Sequence, residues 1–225
     1  YVAYGSQVLP NGDIFVFDFE REITRRLTLT EADDDMPTPS SDGRLIAYTS
    51  LARSGSDAVG TAHYAIKAMP FEGVGAARTL YRGARDAWPL DWSDDGRFLL
   101  IGTGNFSAIV ADSLGVLDIH DPTTVRWLAA PAGPINYASF SHDGRWLAYG
   151  TVGVPEPQVY VEPVPAASPS PVSEGLGRLH ISTRGGLIPR WRGDDRELYY
   201  ARPDGMIVAV PLAPGTLQPG RETEL

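Results

Sequence analysis

A single phrase recurs along this 225-residue chain about every fifty residues, and it constrains the fold more than any other feature. The phrase is an apolar, usually aromatic residue, two polar residues, Asp-Gly-Arg and then an apolar run. Four copies are centred on Gly43, Gly96, Gly144 and Asp195, at steps of 53, 48 and 51 residues. A fifth copy is implied by residues 1–5, which match the apolar run that follows Asp-Gly elsewhere.

Each copy predicts two antiparallel strands joined by a tight turn. Asp-Gly pairs favour short hairpins because glycine adopts positive φ angles without steric cost. Asp195 replaces the glycine in the fourth copy, and aspartate also tolerates this backbone conformation. Two further strand-like runs follow each hairpin, for example 64–69 and 77–81, except after the last hairpin, where only 205–210 is clear. The sequence therefore predicts four strands per repeat.

Segment 19–27 is the one place where a helix competes with a strand. Its apolar residues recur four apart, as they would on one face of a helix. The segment is short, however, and lies in register with the fourth strand of the other repeats, so we favour a strand.

The repeat length indicates the architecture. Four strands of about five or six residues plus four turns of about four to six give a little under fifty residues. Four-stranded antiparallel units at this spacing are typical of β-propeller blades. We therefore predict an all-β fold, an open arc of about five four-stranded blades that is incomplete at both ends and forms one domain over residues 1–225. The expected blades span residues 1–30 (partial), 36–82, 87–129, 135–183 and 187–225.

Stacking would bury the apolar faces of these blades. The aromatic residue before each turn is the side chain expected to fill the space between neighbouring blades. Trp92, Phe140 and Trp191 occupy this position in the last three repeats. We interpret them as core residues and not as cofactor-stacking residues.

Composition excludes several classes of function. The 28 acidic and 19 basic residues leave a net charge of −9, which argues against binding nucleic acid through its phosphates. The absence of cysteine excludes disulfides, thiolate zinc sites and a cysteine nucleophile. No apolar run approaches the roughly 20 residues of a membrane helix, so we predict no direct membrane insertion. Because Tyr1 falls inside an apparent strand, we expect the chain to be part of a longer polypeptide.

No catalytic constellation is found in the sequence. The Gly-rich loop, strand lysine, His-Arg-Asp and Asp-Phe-Gly motifs of protein kinases do not occur, and no serine lies in a Gly-x-Ser-x-Gly elbow. His63, His120, His142 and His180 are not spaced as metal ligands, and we expect His142 to be a solvated turn residue. The acidic run 33–35 lacks the pattern of a calcium loop, so we interpret it as a solvated acidic loop. We predict no catalytic residue, no metal and no cofactor.

Binding is expected at the innermost strands. In propellers these strands line a central channel, and channel mouths are frequent ligand sites. Here the innermost strand precedes the Asp-Gly turn, and by alternation the residue before the aromatic position points away from the blade core. All four such residues are polar: Thr38, Asp91, Ser139 and Arg190. We expect them to line a site for a peptide, protein or small ligand, with Asp91 and Arg190 flanking the channel; alternatively they satisfy backbone groups or each other.

The repeated phrase resembles the WD40-like repeat of TolB-type propellers, in which a Trp-Ser-Pro-Asp-Gly-Lys/Arg turn precedes an apolar strand. The order of segments 13–18, 88–100, 140–149, 189–200 and 204–211 is similar to that in the C-terminal propeller of bacterial eukaryotic-like serine/threonine protein kinases. The same propeller also occurs on some bacterial winged-helix regulators. The turn proline of the family pattern is missing from every copy in this sequence.

The resemblance implies a non-catalytic ligand-sensing or interaction module that follows a kinase domain. A membrane helix often separates the two in that family, which would place this segment outside the cytoplasm; a cytoplasmic location is the alternative. Two other contexts remain open. The propeller of a prolyl-oligopeptidase-type peptidase would require a hydrolase domain after Leu225. A free-standing periplasmic TolB-like scaffold would require an upstream signal peptide.

Overall fold

The computed structural model describes residues 1–6, 12–51, 64–128, 131–153, 155–165 and 177–225. Within these ranges the chain forms β-strands, one short 3-10 helix at Phe106–Ala108 and no α-helix. The prediction of an all-β fold is therefore confirmed.

The strands form five successive antiparallel groups, which we call blades 1 to 5. Blade 1 contains β1 (Val2–Ser6), β2 (Asp13–Asp18) and β3 (Ile23–Arg26). Blade 2 contains β4 (Asp33–Pro39), β5 (Leu45–Leu51), β6 (Ala65–Pro70) and β7 (Arg78–Tyr81). Blade 3 contains β8 (Asp86–Trp92), β9 (Phe98–Asn105), β10 (Val110–Asp118) and β11 (Asp121–Trp127). Blade 4 contains β12 (Ile135–Phe140), β13 (Trp146–Thr151), β14 (Val159–Pro163) and β15 (Leu179–His180). Blade 5 contains β16 (Leu187–Trp191), β17 (Glu197–Ala201), β18 (Ile207–Pro211) and β19 (Thr223–Glu224).

Each four-stranded blade is a simple meander in which every strand pairs with the next one in sequence. Blades 3 and 4 are also joined by a single bridge between Ala111 and Ile135. The strand interpretation of segment 19–27 is confirmed at β3, which pairs with β2. Neither the two-residue strand β19 nor the 3-10 helix was predicted from the sequence.

Successive blades pack face to face in chain order. None of the sheets that the described residues form is closed. Within these residues, blade 1 packs on blade 2 and blade 5 on blade 4, so the blades make an open series as predicted. The described part of the chain contains no helix with the length and hydropathy needed to cross a membrane.

The recurrent phrase folds into the turn between the first and second strands of blades 2 to 5. In blade 2, the Gly43 N–H donates to the Ser40 carbonyl over 2.9 Å, and the Ser40 N–H donates to the Leu45 carbonyl over 2.9 Å. Four residues therefore lie between the paired positions. Gly43 takes a φ of 70° in this loop, and Asp195 takes 57° at the same place in blade 5. The positive φ explains why the position is glycine or aspartate.

The serine and aspartate of the phrase are structural. The Ser40 hydroxyl donates to Asp42 Oδ1 over 2.7 Å, and the same oxygen accepts the Arg44 N–H over 3.0 Å. The serine–aspartate bond recurs in blade 3, from Ser93 to Asp95, over 2.6 Å. These serine hydroxyls hold the pKa of Asp42 and of Asp95 below its usual range. Side chains that satisfy backbone groups locally favour this turn over continued strand.

The aromatic residue before each turn lies between two blades, as predicted. Trp92 belongs to the apolar cluster between blades 2 and 3, Phe140 to the cluster between blades 3 and 4, and Trp191 to the cluster between blades 4 and 5. Trp92 also donates its indole Nε1–H to the carbonyl oxygen of Thr38 over 2.8 Å. The aromatic position therefore joins neighbouring blades by packing and, at Trp92, by a hydrogen bond.

Candidate functional site

A cavity of about 310 Å³ lies where the innermost strands of blades 3, 4 and 5 meet, and we call it the inner cavity. Three of the four residues predicted for the site line it, namely Asp91 on β8, Ser139 on β12 and Arg190 on β16. Tyr137 and His142 also lie in its wall. The inner cavity brings together polar side chains that are about fifty residues apart in the sequence.

Thr38 does not line the inner cavity. Its hydroxyl lies 3.4 Å from the carbonyl oxygen of Met36, and its own carbonyl accepts the indole N–H of Trp92. This position in blade 2 therefore joins blades 2 and 3.

Bulges in the innermost strands control the direction of these side chains. The pairing of β4, β8 and β16 shifts register directly before Thr38, Asp91 and Arg190, and that of β12 shifts earlier, between Ile135 and Tyr137. Met36 and Ile188 take a φ of 51° at two of these irregularities. A bulge bends a strand and changes the direction of the side chains after it. Simple alternation is therefore not sufficient to orient this column of residues.

Asp91 connects blades 3 and 4. Its Oδ2 accepts the backbone N–H of Phe140 over 2.8 Å. Burial raises the pKa of Asp91 to about 6, although the Phe140 N–H and the charge of Arg190 act in the opposite direction. Burial disfavours a charged carboxylate because the protein interior solvates it less well than water.

Arg190 is exposed, and its guanidinium is held in one place. The guanidinium carbon lies 3.7 Å from the ring centroid of Tyr137, and Nη1 donates to the carbonyl oxygen of Pro189 over 3.2 Å. Stacking of this kind contributes roughly 0.5–2 kcal/mol. Among the described residues, none presents a carboxylate within 4.0 Å of the Arg190 nitrogens. Arg190 is therefore a positioned cation without an internal ion-pair partner in the described structure.

Two buried donors belong to the same wall. Ser139 Oγ and Trp191 Nε1 have no hydrogen-bond partner among the residues described. Buried donors without an acceptor cost about 1–3 kcal/mol each.

Tyr137 and His142 are among the residues of the cavity wall that were not assigned to the site from the sequence. Tyr137 lies two residues before Ser139 on the same strand, and no local sequence pattern marks it as the stacking partner of Arg190. His142 was interpreted as a solvated turn residue. Its side chain is exposed in the turn, as expected; in addition, its backbone N–H donates to Asp195 Oδ1 over 2.9 Å and its Nδ1 lies 3.2 Å from that oxygen.

The interpretation of residues 33–35 as a solvated acidic loop was wrong. These residues begin β4, and Asp34 is fully buried. Burial raises the pKa of Asp34. The strand forms because its pairing with β5 satisfies the backbone, which charge alone does not predict.

The described ranges contain no group of three histidine, aspartate or glutamate side chains placed to hold a metal ion. His63, one of the four histidines considered from the sequence, lies outside the described residues.

No family model matches the sequence, and no curated protein matches it. Solved structures do resemble its fold. TolB from Acinetobacter baumannii is 15% identical with a TM-score of 0.62, over 99% of this chain and 52% of that one. A putative TolB from Agrobacterium tumefaciens is 14% identical with a TM-score of 0.54, over 100% and 89% of the two chains. A chain of the Mitotic Checkpoint Complex is 15% identical with a TM-score of 0.65, over 99% and 62%.

These identities establish a likeness of fold alone. The chain spans about half the length of the TolB chain from Acinetobacter baumannii. Together with the succession of antiparallel sheets, the likenesses confirm the propeller fold predicted from the repeated phrase.

Proposed function

We propose that this chain is a non-catalytic interaction module that binds a peptide or an exposed protein segment at the inner cavity. The observation that carries the proposal is the meeting of Asp91, Ser139 and Arg190, from three successive innermost strands, at one cavity. Arg190 is immobilised on Tyr137, and in the described structure it lacks an internal carboxylate partner. A cation that is already ordered loses little side-chain entropy when a ligand binds.

The chemistry of the cavity favours recognition over catalysis. Asp91 is engaged by the Phe140 backbone, and Arg190 is a permanently charged group that does not transfer protons near neutral pH. Peptides suit such a site because their backbones supply both donors and acceptors. A small ligand with the same groups is the alternative occupant.

A peptide display library selected on the purified chain tests the proposal. The enriched peptides are then titrated by calorimetry against the wild-type chain, Arg190→Glu and a control, Arg82→Glu. Arg82 is exposed and outside the cavity wall. We expect Arg190→Glu to weaken binding by about tenfold or more, and Arg82→Glu to leave it unchanged. Equal affinities for all three proteins would reject the inner cavity as the site.

The molecular context belongs to the same proposal. We propose that residues 1–225 form one propeller domain, C-terminal to a bacterial serine/threonine kinase domain and outside the cytoplasm. The order of the repeated segments supports this assignment. The complete gene tests it, because a prolyl-oligopeptidase-type peptidase would show a hydrolase domain downstream, and a free-standing scaffold would show a signal peptide and no kinase. Kinase or peptidase turnover by the isolated chain would contradict the non-catalytic role.

A further inference from the structure

We infer that the inner cavity receives a carboxylate group of a peptide and that Arg190 is the residue that binds it. The inference rests on the proposed function, since it names the chemical group that the bound peptide presents. Arginine suits this role because its planar guanidinium offers several N–H donors that match the two oxygens of a carboxylate.

The position of Arg190 supports the assignment. One face of the guanidinium stacks on Tyr137, and only Nη1 has a hydrogen bond within the described structure, to Pro189. The side chain is exposed and lines the inner cavity, so its other N–H groups are available to a ligand.

Asp91 is not the carboxylate partner of Arg190. It lies in the same cavity wall, yet its Oδ2 is directed to the Phe140 N–H, and the two side chains form no ion pair within 4.0 Å. A carboxylate that holds neighbouring blades together is not free to move onto the arginine. The guanidinium is therefore left for an acceptor from another molecule.

The two buried donors are consistent with an occupant rich in acceptor oxygens. Ser139 Oγ and Trp191 Nε1 lie in the same wall without acceptors among the described residues. Both atoms are covered, so they indicate the polarity of the expected occupant and do not define its position.

Other charged groups in the wall make the binding depend on pH. Asp91 and Asp94 oppose a bound anion, His142 lies in the same wall, and Tyr137 stays neutral because burial raises its pKa to about 12. The pKa of Asp91 is raised to about 6, so Asp91 loses its negative charge as the pH falls through that value. A peptide carboxylate ionises near pH 3.5 and keeps its charge. Affinity for the carboxylate therefore rises on mild acidification.

Three short peptides serve as probes. They are N-acetyl-Gly-Tyr-Gly with a free C-terminus, the same peptide as its C-terminal amide, and amidated N-acetyl-Gly-Glu-Gly. Each is titrated to millimolar concentration at about pH 5 and about pH 7.5, and the indole N–H signal of Trp191 and the amide signal of Phe140 are followed by NMR. We expect the free carboxylate to shift both signals, more strongly at the lower pH, and the amide to bind at least about fivefold more weakly. A comparable response to the glutamate peptide would show that Arg190 also binds a side-chain carboxylate.

Variants assign the effect to residues. Arg190→Gln removes the charge and should abolish the preference for the free carboxylate, while Arg82→Gln should retain it. Asp91→Asn keeps an acceptor for the Phe140 N–H and should reduce the gain in affinity on acidification. The thermal unfolding midpoint of each variant shows whether it is folded.

The outcomes separate the two proposals. If the amide binds as well as the acid, or if Arg190→Gln keeps the preference, the carboxylate inference is wrong while peptide binding at the cavity stands. Stronger binding at the higher pH would indicate that a cationic group of the peptide binds the Asp91 carboxylate. This result would likewise overturn the inference. If the display-selected peptides and all three probes leave both signals unmoved, the proposed function itself fails.

Discussion

The carboxylate of Asp195 accepts the backbone N–H of His142 over 2.9 Å, and so connects the turn of blade 5 to the turn of blade 4. Its second oxygen accepts the N–H of Asp143, also over 2.9 Å. Asp195 occupies the position that is glycine in the other three turns, at a φ of 57°. The aspartate therefore replaces a conformationally free residue with one that joins two blades.

Substitution of Asp195 separates its two roles. Asp195→Ala loses both hydrogen bonds and keeps an unfavourable positive φ, so we expect the free energy of unfolding to fall by about 2–4 kcal/mol. Asp195→Gly also loses both hydrogen bonds, but glycine adopts the positive φ without strain. It should therefore lower the free energy of unfolding by about 1–2 kcal/mol less than Asp195→Ala does. Urea denaturation of the three proteins measures both differences. Wild-type stability in the alanine variant would show that the inter-blade bonds contribute nothing.

Trp92 should show the separate contributions of packing and hydrogen bonding. Trp92→Ala empties a buried site between blades 2 and 3 and is expected to cost about 3–5 kcal/mol. Trp92→Phe keeps most of the apolar volume but leaves the Thr38 carbonyl without its donor, at a cost of about 1–3 kcal/mol. The exposed Trp127 provides a control, since Trp127→Phe should change stability by less than about 0.5 kcal/mol. Denaturation midpoints rank the three variants by their loss of stability. Equal losses for Trp92→Phe and Trp127→Phe would contradict the proposal that the aromatic position joins neighbouring blades.

Asp91 should make the stability of the fold depend on pH. Its pKa is raised to about 6 in the folded chain by burial, so the folded state holds this proton more tightly than the unfolded state. The associated stability is present below about pH 4 and is lost as the pH rises through about 6. Relative to wild type, Asp91→Asn should therefore gain roughly 1–3 kcal/mol between pH 4 and pH 7. Denaturation across this range measures the difference in the free energy of unfolding. If that difference did not change with pH, the pKa of Asp91 would not be raised in the folded chain.

Glu162 should be important for the stability of blade 4. It is buried, and its Oε1 accepts both the Tyr149 hydroxyl and the Arg178 Nε–H. Glu162→Ala leaves the tyrosine hydroxyl without this acceptor in the interior, and we expect a loss of about 1–3 kcal/mol. Glu156 is exposed in the loop before β14, and Glu156→Ala should have almost no effect. Thermal unfolding of the two variants compares them directly, and similar midpoints would rule out a structural role for the Glu162 cluster.

Most of the fold could be predicted from the repeated phrase, because its information is local. The turn residues, the alternating apolar runs and the spacing each concern a few neighbouring positions, and together they predicted hairpins at Gly43, Gly96 and Gly144. Strand β2 was placed with both its ends correct, since the apolar run 14–17 is bounded by Asp13 and Asp18. Strand β19 could not be predicted, because two residues carry no periodicity and pair only with a strand already in place.

The candidate site was predicted only in part. Asp91, Ser139 and Arg190 reach one cavity, whereas Thr38 lies outside it. Bulges before these positions change the direction of the side chains, and a bulge has no reliable signal in a single sequence. The stacking of Arg190 on Tyr137 was also inaccessible, because it joins blade 5 to blade 4.

The sequence by itself determined the repeating unit, the chemistry of its turns and the all-β class, since these follow from backbone preferences and apolar alternation within each repeat. Only the tertiary structure decided which polar residues meet. The burial that raises the pKa of Asp91, the stacking of Arg190 on Tyr137 and the bond from Asp195 to the preceding turn all depend on how one blade is placed against the next. Such contacts join residues about fifty positions apart, and their geometry is set by packing between sheets and not by any local pattern.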